Sequence, residues 1–161
     1  MSVQEVSAAG TSIWLDDLSR AKITSTDAHA LPARIKNNGV VGVTTNPSIF
    51  SAAISGAAEY AADIAAMKST TVDEVVKKLT TDDVRQACDL FTSLYQATHG
   101  VDGRVSIEVD PRLAHDTEGT VAAGKELWSI IDRPNVMIKV PATLEGLPAI
   151  TALITAGISA N

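Results

Sequence analysis

The stretch Gly39-Val-Val-Gly-Val-Thr-Thr-Asn-Pro47 decides the reading of this chain. Five residues rich in valine and threonine form a short apolar run of the kind that pairs in a sheet. Asn46-Pro47 then stops the run: an asparagine side chain can cap a helix, and the fixed φ of proline suits the first helical turn. Strand followed at once by helix is one βα unit. The same unit recurs outward in both directions. Thr11-Ser-Ile-Trp-Leu-Asp-Asp17 precedes it; Arg104-Val-Ser-Ile-Glu-Val109 and Pro134-Asn-Val-Met-Ile-Lys-Val140 follow, and Ile158-Ser-Ala-Asn161 reads as a fifth strand beginning.

Helical stretches lie between these runs. Leu18 to Ile23 reads as a short helix or loop. A helix over 26–36 has Thr26 or Asp27 as its cap and Asn37-Asn38-Gly39 as its stop, and Pro32 inside it predicts a kink or a split. Residues 56–68 are alanine-rich and helical. Thr71-Val-Asp-Glu74 has capping-box spacing, and Thr80-Thr-Asp-Asp83 reads as the start of the long helix that ends at His99-Gly100. Further helices are expected over 116–131 and 147–156. Alternating strand and helix without repeats or linkers means an α/β domain on a parallel sheet. A doubly wound sheet could be complete in 161 residues, whereas a (β/α)8 TIM barrel needs about 250. Four units and a begun fifth strand favour the first half of a barrel.

Charge and composition narrow the function. Lys and Arg number 13 against 19 Asp and Glu, a net charge of −6, so a basic face for nucleic acid is not expected. Single phosphates on a small substrate remain compatible. Cys88 is the lone cysteine, and His29, His99 and His115 are widely spaced, so neither a disulfide framework nor a metal site is expected; adjacent His115 and Asp116 lack chelating spacing. No run approaches a membrane span, and the N-terminus lacks a basic start and apolar core. A cytoplasmic protein without cofactor or membrane partner is the expectation.

Polar residues fall at the C-terminal ends of the strands: Asp16, Asn46, Glu108 and Lys139. In parallel α/β folds that edge carries the site. Lys139, flanked by Val136-Met-Ile and Val-Pro141, is expected to be desolvated, and a neutral amine adds to a carbonyl to form a Schiff base. The competing reading is a packed stem with its head in solvent. Glu108 and Asp16 could move protons, or could instead be, respectively, an ion-pair partner of Lys139 and a cap or partner of Arg20. Asn46 could cap a helix, hold a substrate hydroxyl, or do both. Trp14 and Trp128 read as packing residues, and Thr143 as a packing or capping one.

Taken in order, Ser12-Ile-Trp-Leu-Asp-Asp-Leu-Ser19, Gly42-Val-Thr-Thr-Asn-Pro-Ser48, Val105-Ser-Ile-Glu-Val-Asp-Pro-Arg112, Met137-Ile-Lys-Val-Pro-Ala-Thr143 and Gly157-Ile-Ser-Ala-Asn161 make the chain resemble the bacterial-type transaldolases. The resemblance implies a (β/α)8 barrel and a metal-free lysine Schiff-base mechanism on phosphorylated sugars. It assigns Lys139 as the Schiff-base lysine, Asp16 as general acid/base in carbon–carbon cleavage, and Glu108 as a glutamate acting through water. It also assigns Asn46 and Asn161 to the dihydroxyacetone hydroxyls. The implied reaction moves that unit from sedoheptulose 7-phosphate to glyceraldehyde 3-phosphate, in the pentose phosphate pathway. The strands and the phosphate-gripping arginine that follow in that family lie beyond residue 161. A sugar-phosphate aldolase of the same class, or a non-catalytic barrel fragment, are the alternatives. A half-barrel would leave two sheet edges and apolar helix faces open, so an unstable monomer or a self-associated half-barrel without normal activity is expected.

Overall fold

In the computed structural model, which describes residues 2–161, four strands form one parallel sheet in the order β1-β2-β3-β4. They are β1 (Ile13–Asp16), β2 (Val40–Thr44), β3 (Arg104–Glu108) and β4 (Val136–Lys139). The chain returns through helices after each one: α2 (Arg20–Thr24) and α3 (Leu31–Asn38) after β1; α4 (Pro47–Ile54), α5 (Ala61–Ala66) and α6 (Val72–Ala97) after β2; α7 (Thr117–Ile131) after β3; α8 (Gly146–Thr155) after β4. Sequential order with every strand parallel is the arrangement of the first half of a (β/α)8 barrel. Residues 158–161 extend it: the Ile138 N–H donates to the Ser159 carbonyl at 2.8 Å, and the Asn161 N–H donates to Ile138 at 2.9 Å.

Strand alternation gives the sheet two unlike faces. One parity carries Val43, Val105, Ile107, Val109, Val136, Ile138 and Val140, all buried in a single core with Phe91 and Val84 of α6, Leu127 and Ile131 of α7 and Leu153 of α8. The other parity carries Trp14, Asp16, Gly42, Thr44, Ser106, Glu108, Met137 and Lys139, following the register Asp16↔Thr44↔Ser106↔Met137 and Glu108↔Lys139. Gly42 is required there because a Cβ would sit 2.5 Å from the Trp14 indole.

Several elements depart from the sequence expectation for local reasons. A helix α1 (Val3–Ala8), which the pattern did not suggest, is started by a capping box of Ser2 and Glu5. The helix expected over 26–36 begins at Leu31, which puts Pro32 in the first turn, where it costs no hydrogen bond and makes no kink. Asp27 instead accepts the N–H groups of His29 and Ala30 in the turn before it. Thr80 and Thr81 do not start a helix. They lie inside α6, whose only start is the Thr71–Glu74 box, and their hydroxyls donate back to the Lys77 carbonyl. Residues 56–68 hold a 3-10 turn, Ala58–Tyr60, and the short α5 rather than one helix.

One buried polar cluster ties these returns together. The Asp83 carboxylate, fully buried on α6, accepts the Tyr60 hydroxyl at 2.6 Å and the Arg20 Nε at 3.0 Å. Tyr60 in turn accepts the Arg20 backbone N–H at 2.9 Å, and the guanidinium lies 4.6 Å from the ring centroid while also pairing with Asp63. Burial pushes the Asp83 carboxyl up, against the pull of the Tyr60 and Arg20 hydrogen bonds. Arg20 is therefore committed elsewhere and is not the partner of Asp16.

Candidate active site

Glu108 ends β3 and Lys139 ends β4 in the same register pair, so adjacent parallel strands present both side chains on the polar face. Their Oε2 and Nζ are 3.1 Å apart. Lys139 Nζ also donates to the Thr45 carbonyl at 3.4 Å. The side chain of Lys139 is 31% exposed and that of Glu108 17%. This corrects the expectation of a dry lysine, since the amine is ion-paired and open on one side. The residues that suggested dryness, Ile138 and Val140, point to the opposite, helix-covered face.

Asn46 follows Thr44 by two residues, the step by which Glu108 follows Ser106, and it begins α4. Its Oδ1 accepts the Ile49 N–H at 2.9 Å, so the capping role is present. Its Nδ2 is in no hydrogen bond among the described residues. Asn161 reaches back across β4, where its Nδ2 donates to Ser106 Oγ at 2.9 Å. Asp16 lies on the same face in the row of Thr44 and Ser106, exposed at the end of the edge strand β1 and not in contact with Lys139. The structure therefore brings Lys139 and Glu108 into contact and seats Asn161 in the row beside them. Asn46 stands at the rim and Asp16 across the sheet.

The loops beyond the strands are fixed by their own bonds. Asp110 takes Arg112 through two oxygens, and Arg112 also reaches Asp73 at 2.9 Å; the Arg112 hydrogen bonds hold the Asp110 carboxyl below its usual range. His115 sits 3.0 Å from Glu145, and Asp116 caps α7 through the Gly119 N–H. Thr143 accepts the Gly146 N–H at 2.9 Å and donates to the Ala114 carbonyl, the capping role expected of it. Among the described residues no three His, Cys, Asp or Glu side chains converge as a metal-ligating group. Nor is any described helix long and apolar enough to cross a membrane. Behind the sheet edge, α4, α6 and α7 enclose a groove of about 710 Å³ that begins at Asn46 and Glu108 and runs between Phe50, Val76 and Leu127.

Ser106 and Thr45 had no assigned role in the sequence reading. Ser106 stands inside a quoted motif, and strand parity alone puts it on the face of Glu108, which is the signal that could have found it. Thr45 acts through its backbone carbonyl, for which side-chain type carries no signal.

Residues 13–161 match the family model described as Transaldolase/Fructose-6-phosphate aldolase. The chain belongs to the transaldolase/fructose-6-phosphate aldolase family. It is 56% identical over 158 residues to a transaldolase of Mycolicibacterium smegmatis, a match covering 97% of this chain and 42% of that protein. A transaldolase of Saccharopolyspora erythraea is 52% identical, with 99% of this chain and 43% of the relative covered. Transaldolase 1 of Streptomyces avermitilis is 57% identical, with 99% and 42% covered. The chain thus spans less than half the length of these relatives. Transaldolase membership agrees with the parallel α/β architecture, and the match takes in all four strands with Asn161 at its end.

Proposed function

We propose that this chain carries the covalent half of a transaldolase site, and the Lys139–Glu108 pair is the observation that carries the reading. Glu108 takes a proton from the Lys139 ammonium, and the free amine adds to the ketose carbonyl, giving a carbinolamine. Glu108, 3.1 Å from Nζ, moves protons to and from that centre directly or through one water, so that hydroxide leaves as water and an iminium remains. Asp16 takes the proton of the hydroxyl on the carbon beyond the scissile bond. As that bond breaks, its electron pair passes into the iminium, an aldehyde leaves, and an enamine of dihydroxyacetone stays on Lys139. Asn46 and Asn161 offer amide groups to the hydroxyls of that unit. The enamine then attacks an acceptor aldehyde, Asp16 returns its proton, and water releases the new ketose.

The substrates are those that the resemblance to transaldolases implies: sedoheptulose 7-phosphate as donor and glyceraldehyde 3-phosphate as acceptor, giving erythrose 4-phosphate and fructose 6-phosphate. The electron sink is the iminium itself, so no cofactor or metal is invoked. A cytoplasmic setting, without nucleic-acid or membrane partner, belongs to the same reading. The family description also names an aldolase, which would release dihydroxyacetone to water; product formation with and without acceptor aldehyde separates the two. Borohydride reduction with fructose 6-phosphate, followed by peptide mass mapping, tests the reading as a whole. An adduct on Lys139 that is lost in Lys139→Ala supports it; absence of any adduct on Lys139 in the folded full-length protein overturns it in favour of a non-catalytic role.

A further inference from the structure

Ser106 is fully buried at the centre of β3 and touches the site twice. Its Oγ accepts Asn161 Nδ2–H at 2.9 Å, and its carbonyl accepts the Thr45 hydroxyl at 2.7 Å. The carbonyl of Thr45 is the one that receives Lys139 Nζ. A carboxamide has two unlike ends, an acceptor and a donor, and an unheld one turns to suit any ligand. With one Nδ2–H held by Ser106 the carboxamide cannot turn end for end, and its Oδ1, in no hydrogen bond among the described residues, is presented to accept a hydroxyl proton.

We propose that Ser106 is a positioning residue that sets the orientation of the Asn161 carboxamide and thereby makes the site select ketones bearing a hydroxyl donor beside the carbonyl. The inference rests on the Schiff-base reading for its substrate, though not for the Ser106–Asn161 bond itself. A site built to accept a hydroxyl loses much of its binding when that hydroxyl is missing. Ser106→Ala deletes one oxygen from a packed strand, frees the carboxamide and removes that distinction.

Two measurements on the 161-residue chain decide it. In the nitrogen-15 spectrum, the Asn161 side-chain amide pair should exchange slowly in the wild type and move towards free-amide behaviour in Ser106→Ala. An unchanged pair overturns the proposal whatever the chemistry does. In borohydride trapping, the half-saturating concentration of dihydroxyacetone should rise about tenfold in Ser106→Ala, with the maximal trapped fraction and the response to acetone, which has no hydroxyl beside its carbonyl, unchanged. Adding Ser106→Ala to Asn161→Ala should change nothing further. Equal weakening towards both ketones, or an undiminished effect in the Asn161→Ala background, overturns the positioning role. If the wild type traps neither ketone, the Schiff-base reading fails and the substrate selection falls with it, while the amide spectrum still decides whether Ser106 orients Asn161.

Discussion

Asp83→Ala should be among the most damaging single substitutions outside the site. The carboxylate is fully buried and receives Tyr60 at 2.6 Å and Arg20 at 3.0 Å. Removing it strands a phenol without its acceptor and a guanidinium with half its compensation. Breaking one partner of a buried pair costs about 3–5 kcal/mol. The lower end applies, because Arg20 keeps Asp63 and its own side chain is 15% exposed. We expect a loss of about 3 kcal/mol, a fall in Tm of roughly 6–12 °C for a chain of this size. Tyr60→Phe keeps the ring under Arg20 but loses one bond to a charged acceptor and the acceptor of the Arg20 N–H, and should cost about 1.5–3 kcal/mol.

Urea unfolding followed by circular dichroism, at concentrations low enough to suppress association, measures both. The double change Arg20→Met with Asp83→Leu should be more stable than Asp83→Ala, since it leaves no buried charge unpaired, Asp63 being half exposed. If Asp83→Ala falls within about 0.5 kcal/mol of wild type, the range of an ordinary surface change, the cluster does not hold α2 and α6 together and the reasoning fails.

Gly42→Ala drives a methyl into the Trp14 indole, 2.5 Å from its nearest atom; a loss of about 1–3 kcal/mol and a red-shifted tryptophan emission are expected as the ring is displaced. Asn135→Ala removes two buried donations, to the Cys88 and Gly103 carbonyls at 2.9 and 2.8 Å, and should cost about 2–3 kcal/mol in the same urea experiment. Stability should fall as pH drops through the carboxyl range. Asp110, Asp27, Glu74 and Glu145 are all held below their ordinary values, by hydrogen bonds chiefly from Arg112, Ser25, Thr71 and His115 respectively, so the stability they add is present above the unfolded pKa and lost on acidification. Asp83, held high by burial, acts in the opposite sense, so Asp110→Asn should flatten the acid limb and Asp83→Ala steepen it. Sedimentation of the 161-residue chain should show concentration-dependent association through the open edge of β1 and the exposed Leu144, Leu147 and Ile154 around α8; a single monomeric species at all concentrations would refute this.

The strands were legible because short apolar runs rich in β-branched residues alternated with helical stretches, and Asn46-Pro47 and Thr71-Val-Asp-Glu74 formed the caps their spacing implies. Pro32 misled because a proline in a periodic stretch marks either a kink or a first turn, and only the absence of a capping bond from Asp27 to the helix decides which. Thr80-Thr-Asp-Asp83 imitates a helix start because threonine serves equally well inside a helix when its hydroxyl bonds the preceding turn. The surroundings of Lys139 were misread for a more general reason. Neighbours at i±1 on a strand describe the opposite face, so Ile138 and Val140 report on the helix-covered core. Met137, two residues back, and the cross-strand Glu108 are the neighbours that share the side of the amine.

That same alternation is what makes the site possible from so few elements. Lys139, Glu108, Ser106 and Asp16 are separated in sequence by as much as 123 residues, the distance from position 16 to 139, yet they need no individual steering once the parity of each strand is set. Parity is set by the core. Val105, Ile107 and Val109 bury against the helices, and a slip of one residue in β3 would put Ser106 and Glu108 among Phe91 and Leu127 while exposing three valine and isoleucine side chains. At about 1.5–3 kcal/mol for each buried aliphatic side chain, before the cost of an unpaired carboxylate, such a slip is closed to the folded chain. The apolar face thus selects the register, and the register places the amine beside the carboxylate.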